Sequence, residues 1–250
     1  MTTSQRSWNY MLDDTSPVFR YKPYADGIGV SRGWQAWYSG SGFLSNPGEG
    51  PGEGSSYHVT SLNGASVQLS FFGTGISLYG MASCAYDVTL DGTQKLSSSP
   101  PFNTLFSDYG LDEGVHNITL IAQPSNEGQT LQFEGAQISS SIPNSETSGP
   151  NTLRIDNQNT FVITYQGNWT IRQDSKVPTR EDPSPFFLTQ SGGASASMSF
   201  NGRAVEVRGI SNWGWWDYLV TLDEKTISGM NASSFWIIPD AVLFLSRRSQ

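Results

Sequence analysis

One stretch of this sequence occurs twice, and the duplication limits the available folds more than any other feature. GASVQLSFFGTGISLYG (residues 64–80) is matched without a gap by GASASMSFNGRAVEVRG (residues 193–209). YDVTLDG (residues 86–92) is matched by YLVTLDE (residues 218–224). The landmarks around these cores keep their order. Asp13-Asp14, Phe19, Tyr21, a Trp-bearing loop and Leu105-Phe106 mark the first half. Ile155-Asp156, Phe161, Tyr165, Trp169 and Leu243-Phe244 mark the second. Such a repeat means one folding unit used twice.

Inside each copy, apolar and polar residues alternate. Val67, Leu69 and Phe71 share a face, and Ile76-Ser77-Leu78, Val88-Thr89-Leu90, Ile118-Thr119-Leu120 and Val205-Glu206-Val207 behave alike. A period of two with one apolar face means antiparallel strands in a sandwich or barrel. Asp91-Gly92 is a tight-turn signal, because both residues tolerate positive φ. Asn63-Gly64 and Asn201-Gly202 are further turn candidates. Abundant Gly (26) and Pro (13), with only 14% charged residues, suit many short strands joined by turns. The expected fold is all-β, with two antiparallel sandwiches in tandem. The first covers residues 7–139 and the second residues 150–250, with a polar linker at 140–149 inside SSSIPNSETSGP. NPGEGPGEGSS (residues 46–56) reads as a surface loop, too Gly-rich to pack.

The copies differ at their ends. After Phe106 the first continues through LDEGVHNITLIA and LQFEGAQI, two further strands, whereas only residues 245–250 follow Phe244. The second sandwich is therefore expected to be incomplete, with an open edge beside residues 241–245 that invites pairing with another chain. Either the chain is a shortened form of a longer one, or the strands come from elsewhere by strand exchange or dimerisation.

Taken in order, Asp-Asp-Thr, Phe-x-Tyr, the Trp loop, the Gly-Ala-Ser to Tyr-Gly segment, Tyr-x-Val-x-Leu-Asp-Gly, Leu-Phe and Gly-x-His-x-Ile-x-Leu form a recognisable series. It resembles fungal surface proteins, mainly basidiomycete, with two tandem galactose-binding-like β-sandwiches followed by a Ser-rich stretch and a membrane span. The match covers nearly the whole chain, with Asn201-Gly202-Arg203 in place of the Gly-Thr-Gly turn in the second unit. The resemblance implies jelly-roll domains and an extracellular or cell-surface setting, and supplies no activity. The first residues, MTTSQRSWNYMLDD, carry no apolar signal-peptide core, and no run of 18 apolar residues exists to span a membrane. Asn117, Asn168 and Asn231 head glycosylation sequons, at about the frequency chance supplies in a chain so rich in Ser and Thr.

The formal net charge of −8 leaves no basic patch, which argues against nucleic acid as a partner and disfavours anionic membranes. One cysteine, Cys84, excludes an intrachain disulfide, and with only His58 and His116 there is no Cys/His zinc site. Both histidines read as structural strand residues, and no G-x-S-x-G elbow occurs. Sequence spacing pairs no two of Asp13, Asp14, Asp26, Asp87, Asp217, Glu49 and Glu53 as catalytic carboxylates. Asp13 and Asp14 are weak candidates for a structural Ca²⁺, against the simpler reading of a turn with solvated acids. No other cofactor is expected.

Aromatics concentrate in two loops. Trp34, Trp37 and Tyr38 lie in GWQAWYSGSG, and Asn212, Trp213, Trp215, Trp216 and Asp217 in NWGWWDY. Flat exposed rings stack on sugar C–H faces while Asn and Asp hydrogen-bond hydroxyls. The same rings also fill sandwich cores. Three readings follow. The first is a non-catalytic carbohydrate-binding or recognition protein with a glycan or small-molecule ligand. The second is a glycan-acting or small-molecule enzyme working in a groove between the sandwiches. The third is a structural ectodomain without a ligand.

Overall fold

The computed structural model describes residues 6–48, 50–95, 103–142, 152–177 and 183–247. The strand ladders are antiparallel throughout, and no helix occurs among these residues. The first half contains β1 (Arg6–Asp13), β2 (Arg20–Lys22), β3 (Gln35–Tyr38), β4 (Gly42–Phe43), β5 (Ser56–Thr60), β6 (Ser66–Gly73) and β7 (Gly75–Ala82). It continues with β8 (Ala85–Leu90), β9 (Thr93–Lys95), β10 (Thr104–Asp108), β11 (Gly114–Gln123) and β12 (Leu131–Ile142). β12 runs three residues past the expected boundary at 139. Residues 143–149 of the expected linker lie outside the described residues.

Two sheets form. One has the order β10-β7-β12-β5-β3-β4, with β1 also paired to β12, and the other has the order β2-β6-β11-β8-β9. The alternating residues of the sequence meet between them. Val67, Leu69, Phe71, Val88, Leu90, Ile118 and Leu120 come from one sheet; Leu12, Ile76, Leu78, Leu131, Phe133 and Ile138 come from the other. Cys84 packs half-buried at the margin of this core.

The second half contains β13 (Thr164–Gln166), β14 (Thr170–Arg172), β15 (Phe186–Leu188), β16 (Ser195–Ser197), β17 (Ala204–Ser211), β18 (Asp217–Leu222), β19 (Lys225–Asn231) and β20 (Ile238–Arg247). These make four separate two-stranded ladders: β13-β16, β14-β15, β17-β20 and β18-β19. Several of their pairings match pairings of the first half. Tyr21 pairs with Val67, and Tyr165 with Ala196. Ala36 pairs with His58, and Ile171 with Phe187. Thr104 and Phe106 pair with Tyr79 and Leu78 across a bulge, and Val242 and Phe244 pair with Arg208 and Val207 across the same bulge. Asp91 and Asp223 open equivalent turns, at φ 51° and 49°. Even ring contacts recur. Tyr21 stacks on His58 at 4.4 Å and meets Trp34 edge-on at 5.4 Å, while Tyr165 stacks on Phe187 at 4.3 Å and meets Trp169 edge-on at 5.1 Å.

The edge at residues 241–245, expected to be open, is covered by the first half. Val242 joins the first core, its carbonyl accepts a hydrogen bond from Ser16 Oγ at 2.6 Å, and Arg247 donates to the Ser141 carbonyl. The Gly-rich loop also departs from expectation, because it packs. Gly48 N donates to Phe235 O, Ile237 N donates to Gly50 O, and Pro51 forms a parallel bridge with Ile237. Glycine is required at position 52. A Cβ there would stand 2.2 Å from the Tyr38 ring, so only a bare backbone can lie over it.

Candidate ligand-binding face

Strand β3 sorts its side chains by alternation. Ala36 and Tyr38 turn inward and are buried, while Trp37 turns outward. Trp37 stands opposite Phe43 on β4 and opposite Tyr57 on β5, so three rings form a row across the outer face of the larger sheet. Trp37 and Tyr57 stack at 4.8 Å with planes 20° apart. Phe43 is 48% exposed, and the other two rings are half-buried. Glu134 of β12 lies beside Tyr57. Burial and this carboxylate raise the Tyr57 phenol above its ordinary pKa. A row of flat rings ending at a hydrogen-bond acceptor can stack on apolar C–H faces and hold a hydroxyl at one end.

The second aromatic cluster occupies the turn from β17 to β18. Trp216 is 81% exposed and Trp213 51%, while Trp215 is half-buried. Trp213 leans edge-on against Phe235 at 5.2 Å. Asn212 builds the turn: its Oδ1 accepts from Trp213 N at 2.7 Å, and its carbonyl accepts from Trp215 N and Ser234 N. Asp217 accepts from Asn231 Nδ2 at 2.8 Å.

Two ring candidates are buried. Trp34 is wholly buried and donates through Nε1 to Ser66 O at 3.2 Å. Tyr38 packs on Trp236 at 4.8 Å beneath the Gly-rich loop. Position decides this: residues 34, 36 and 38 share the inward face and 37 does not. Tyr57 and Phe43 were missed because neither lies in an aromatic-rich loop, although cross-strand pairing with Trp37 brings them together.

The acids weighed as metal ligands are committed elsewhere. Asp13 Oδ1 accepts from Thr15 N at 3.1 Å and from Ser56 Oγ at 3.3 Å. Asp14 is wholly buried, with Ser56 Oγ at 2.5 Å on one oxygen and His58 Nδ1 at 2.6 Å on the other. Among the described residues, no three His, Cys, Asp or Glu are grouped to hold a metal. His58 Nε2 faces Asp26 Oδ1 at 3.8 Å, which sandwiches the imidazole between two carboxylates. Burial alone would lower the His58 pKa, but hydrogen bonds and charge from Asp14 and Asp26 outweigh it and raise the value to about 9. Burial pushes the Asp14 carboxyl up to about 7 against the pull of His58. Asp26 Oδ2 also accepts from Phe235 N at 3.0 Å, so the buried charges tie the first half to the second. The spacing of positions 14, 26 and 58 carried no sign of this cluster.

Where the halves meet there is a seam with no room for even a water molecule, lined by Asp26, Gly27, Gln35, Leu44, Phe235 and Trp236. It presents one carboxylate rather than two. The other histidine, His116, donates through Nδ1 to Asp91 Oδ2 at 2.7 Å and has Nε2 2.8 Å from the Asp112 carbonyl, which pins the β8–β9 turn to β11. Glu49 lies outside the described residues. The sequon residues Asn117, Asn168 and Asn231 are exposed.

No protein-family model and no curated protein matches the chain. Among solved structures, a family two carbohydrate esterase from Clostridium thermocellum in complex with cellohexaose is 22% identical, over 34% of this chain and 28% of its own, at a TM-score of 0.26. A family two carbohydrate esterase from Cellvibrio japonicus is 13% identical, over 55% and 36%, at 0.33. The CBM36-1 domain of a multidomain xylanase from the hindgut metagenome of Trinervitermes trinervoides is 17% identical, over 42% and 95%, at 0.26. The chain thus spans about a third of the esterases it overlaps. At these scores no residue here takes a role from them. Fold and face together define an antiparallel β-sandwich protein with an aromatic row on its outer sheet.

Proposed function

We infer that the protein is a non-catalytic glycan-binding module of an extracellular or cell-surface protein, of the kind its sequence resembles. The observation that carries this reading is the Phe43–Trp37–Tyr57 row, beside Glu134, on a sheet face that needs no apolar rings for its own packing. Stacking with few charges agrees with a chain that is only 14% charged. The exposed Trp213 and Trp216 give the second half its own stacking surface. A mobility-shift gel cast with soluble polysaccharides, followed by tryptophan-fluorescence titration, tests the reading. Trp37→Ala is expected to weaken binding by up to about tenfold, since aromatic stacking contributes roughly 1.5 kcal/mol at its upper range. Binding by no polysaccharide, or a Trp37→Ala variant equal to the parent, contradicts it.

A further inference from the structure

The ring row on the larger sheet continues past Glu134. Strands β4, β3, β5, β12 and β7 lie side by side in that order. Phe43 pairs with Trp37, and Trp37 with Tyr57. On β12, Phe133 pairs with His58 on one side and Gly80 on the other, and Gly135 pairs with Tyr79, so the bulge at Glu134 lies between Tyr57 and Tyr79. Alternation turns Tyr79 outward, because its neighbour Leu78 is buried in the core. Gln137 faces the same way, between the buried Ala136 and Ile138. Tyr79 is half-buried, and its hydroxyl donates to Gln137 Oε1 at 3.1 Å. Neighbouring strands lie roughly 4.8 Å apart, so the row from Phe43 to Tyr79 runs about 19 Å across the sheet. That is several times the width of one sugar ring.

The polar groups of the row are two phenols, the Gln137 amide and one carboxylate, Glu134; none of its residues is a cation. A glycan bearing carboxylates or sulfates would meet Glu134 with like charge and find no cation in the row to pair with, whereas a neutral glycan escapes that cost. Trp37 and Tyr57 already hold each other in a stack at 4.8 Å, so a ligand has little left to immobilise there. We propose that the row takes a linear, uncharged oligosaccharide laid across the strands. Phe43, Trp37 and Tyr57 pack against its sugar rings at one end, Glu134 accepts a hydroxyl, and Tyr79 with Gln137 holds the other end. This rests on the glycan-binding reading above and adds to it the ligand's charge, its length and a far subsite on β7 and β12.

The probes, titrated into the full chain by tryptophan fluorescence, are soluble glucan, mannan and galactan. To these are added oligosaccharides of two to six units cut from whichever polymer binds, and that polymer with its primary hydroxyls oxidised to carboxylates. Affinity is expected to rise about tenfold from two units to four and then level off. Tyr79→Ala should weaken the hexasaccharide about two- to tenfold and leave the disaccharide unchanged. The oxidised polymer should bind about tenfold more weakly, with Glu134→Gln recovering part of that loss. Three results would overturn the proposal: equal affinity for two units and six, a Tyr79→Ala variant equal to the parent on the hexasaccharide, or an oxidised polymer bound as tightly as the neutral one. If Trp37→Ala still weakens binding in those cases, the glycan-binding reading stands without this extension. Binding to none of the polymers contradicts both.

Discussion

Leu69, Phe71 and Leu78 of the first half are at most 5% exposed, while their counterparts Met198, Phe200 and Val207 are 36%, 41% and 40% exposed. The local structure around them is nevertheless the same, down to a shared bulge and a shared tyrosine–tryptophan contact. The register of single strand pairs is therefore kept where the closed core is not, because alternation within each strand fixes which face it presents. Core formation is not. It depends on β11 and β12, each of which pairs on both sides and joins two ladders into one sheet.

The comparison also isolates the buried charges. His58 has Phe187 as its counterpart, and Asp14 has Asn157, whose carbonyl accepts from Tyr165 OH just as the Asp14 carbonyl accepts from Tyr21 OH, each at 2.7 Å. The fold accommodates an uncharged pair at this place, so the Asp14–His58 ion pair is an addition of the first half. It stands next to Asp26, which holds Phe235 of the second half.

Several substitutions sharpen this contrast. His58→Phe alone leaves Asp14 buried without its partner and should cost about 3–5 kcal/mol in urea unfolding. Adding Asp14→Asn makes the site like that of the second half and should recover all but about 1 kcal/mol. Failure of that rescue would break the equivalence. Leu69→Ala should cost about 2–5 kcal/mol, because it leaves a cavity in a closed core. Met198→Ala at the equivalent position should cost under about 1 kcal/mol, as exposed substitutions do. Stability should also fall as pH rises. Folding raises the His58 pKa from 6.5 to about 9, so its contribution is complete below 6.5 and is lost through about 9. The raised Asp14 pKa acts in the same direction at lower pH. A melting temperature that declines from pH 6.5 to 9 in the parent, and declines less in the Asp14→Asn, His58→Phe double variant, is the expected pattern.

Much of the fold was legible in the sequence. The strand alternation at Val67–Phe71 and the Asp91-Gly92 turn are local signals, and they reappear as core and positive φ. Alternation also implied that neighbouring aromatics would split between faces, as Trp37 and Tyr38 do. What stayed hidden depends on contacts between distant segments. Tyr57 reaches Trp37 only through pairing of β3 with β5. Asp14, Asp26 and His58 meet only after three separate segments converge. The Gly-rich loop has no pattern of its own, and its position follows from Phe235 and Ile237, nearly two hundred residues away.

Native-state hydrogen exchange of the unliganded chain compares the two halves most directly. Amides of β6 and β8 should exchange only on global unfolding, and those of β16 and β18 at least ~100-fold faster, because among the described residues no strand lies between them to close the sheet. Equal protection in both pairs would show that the second half closes a core of its own, and would contradict the account.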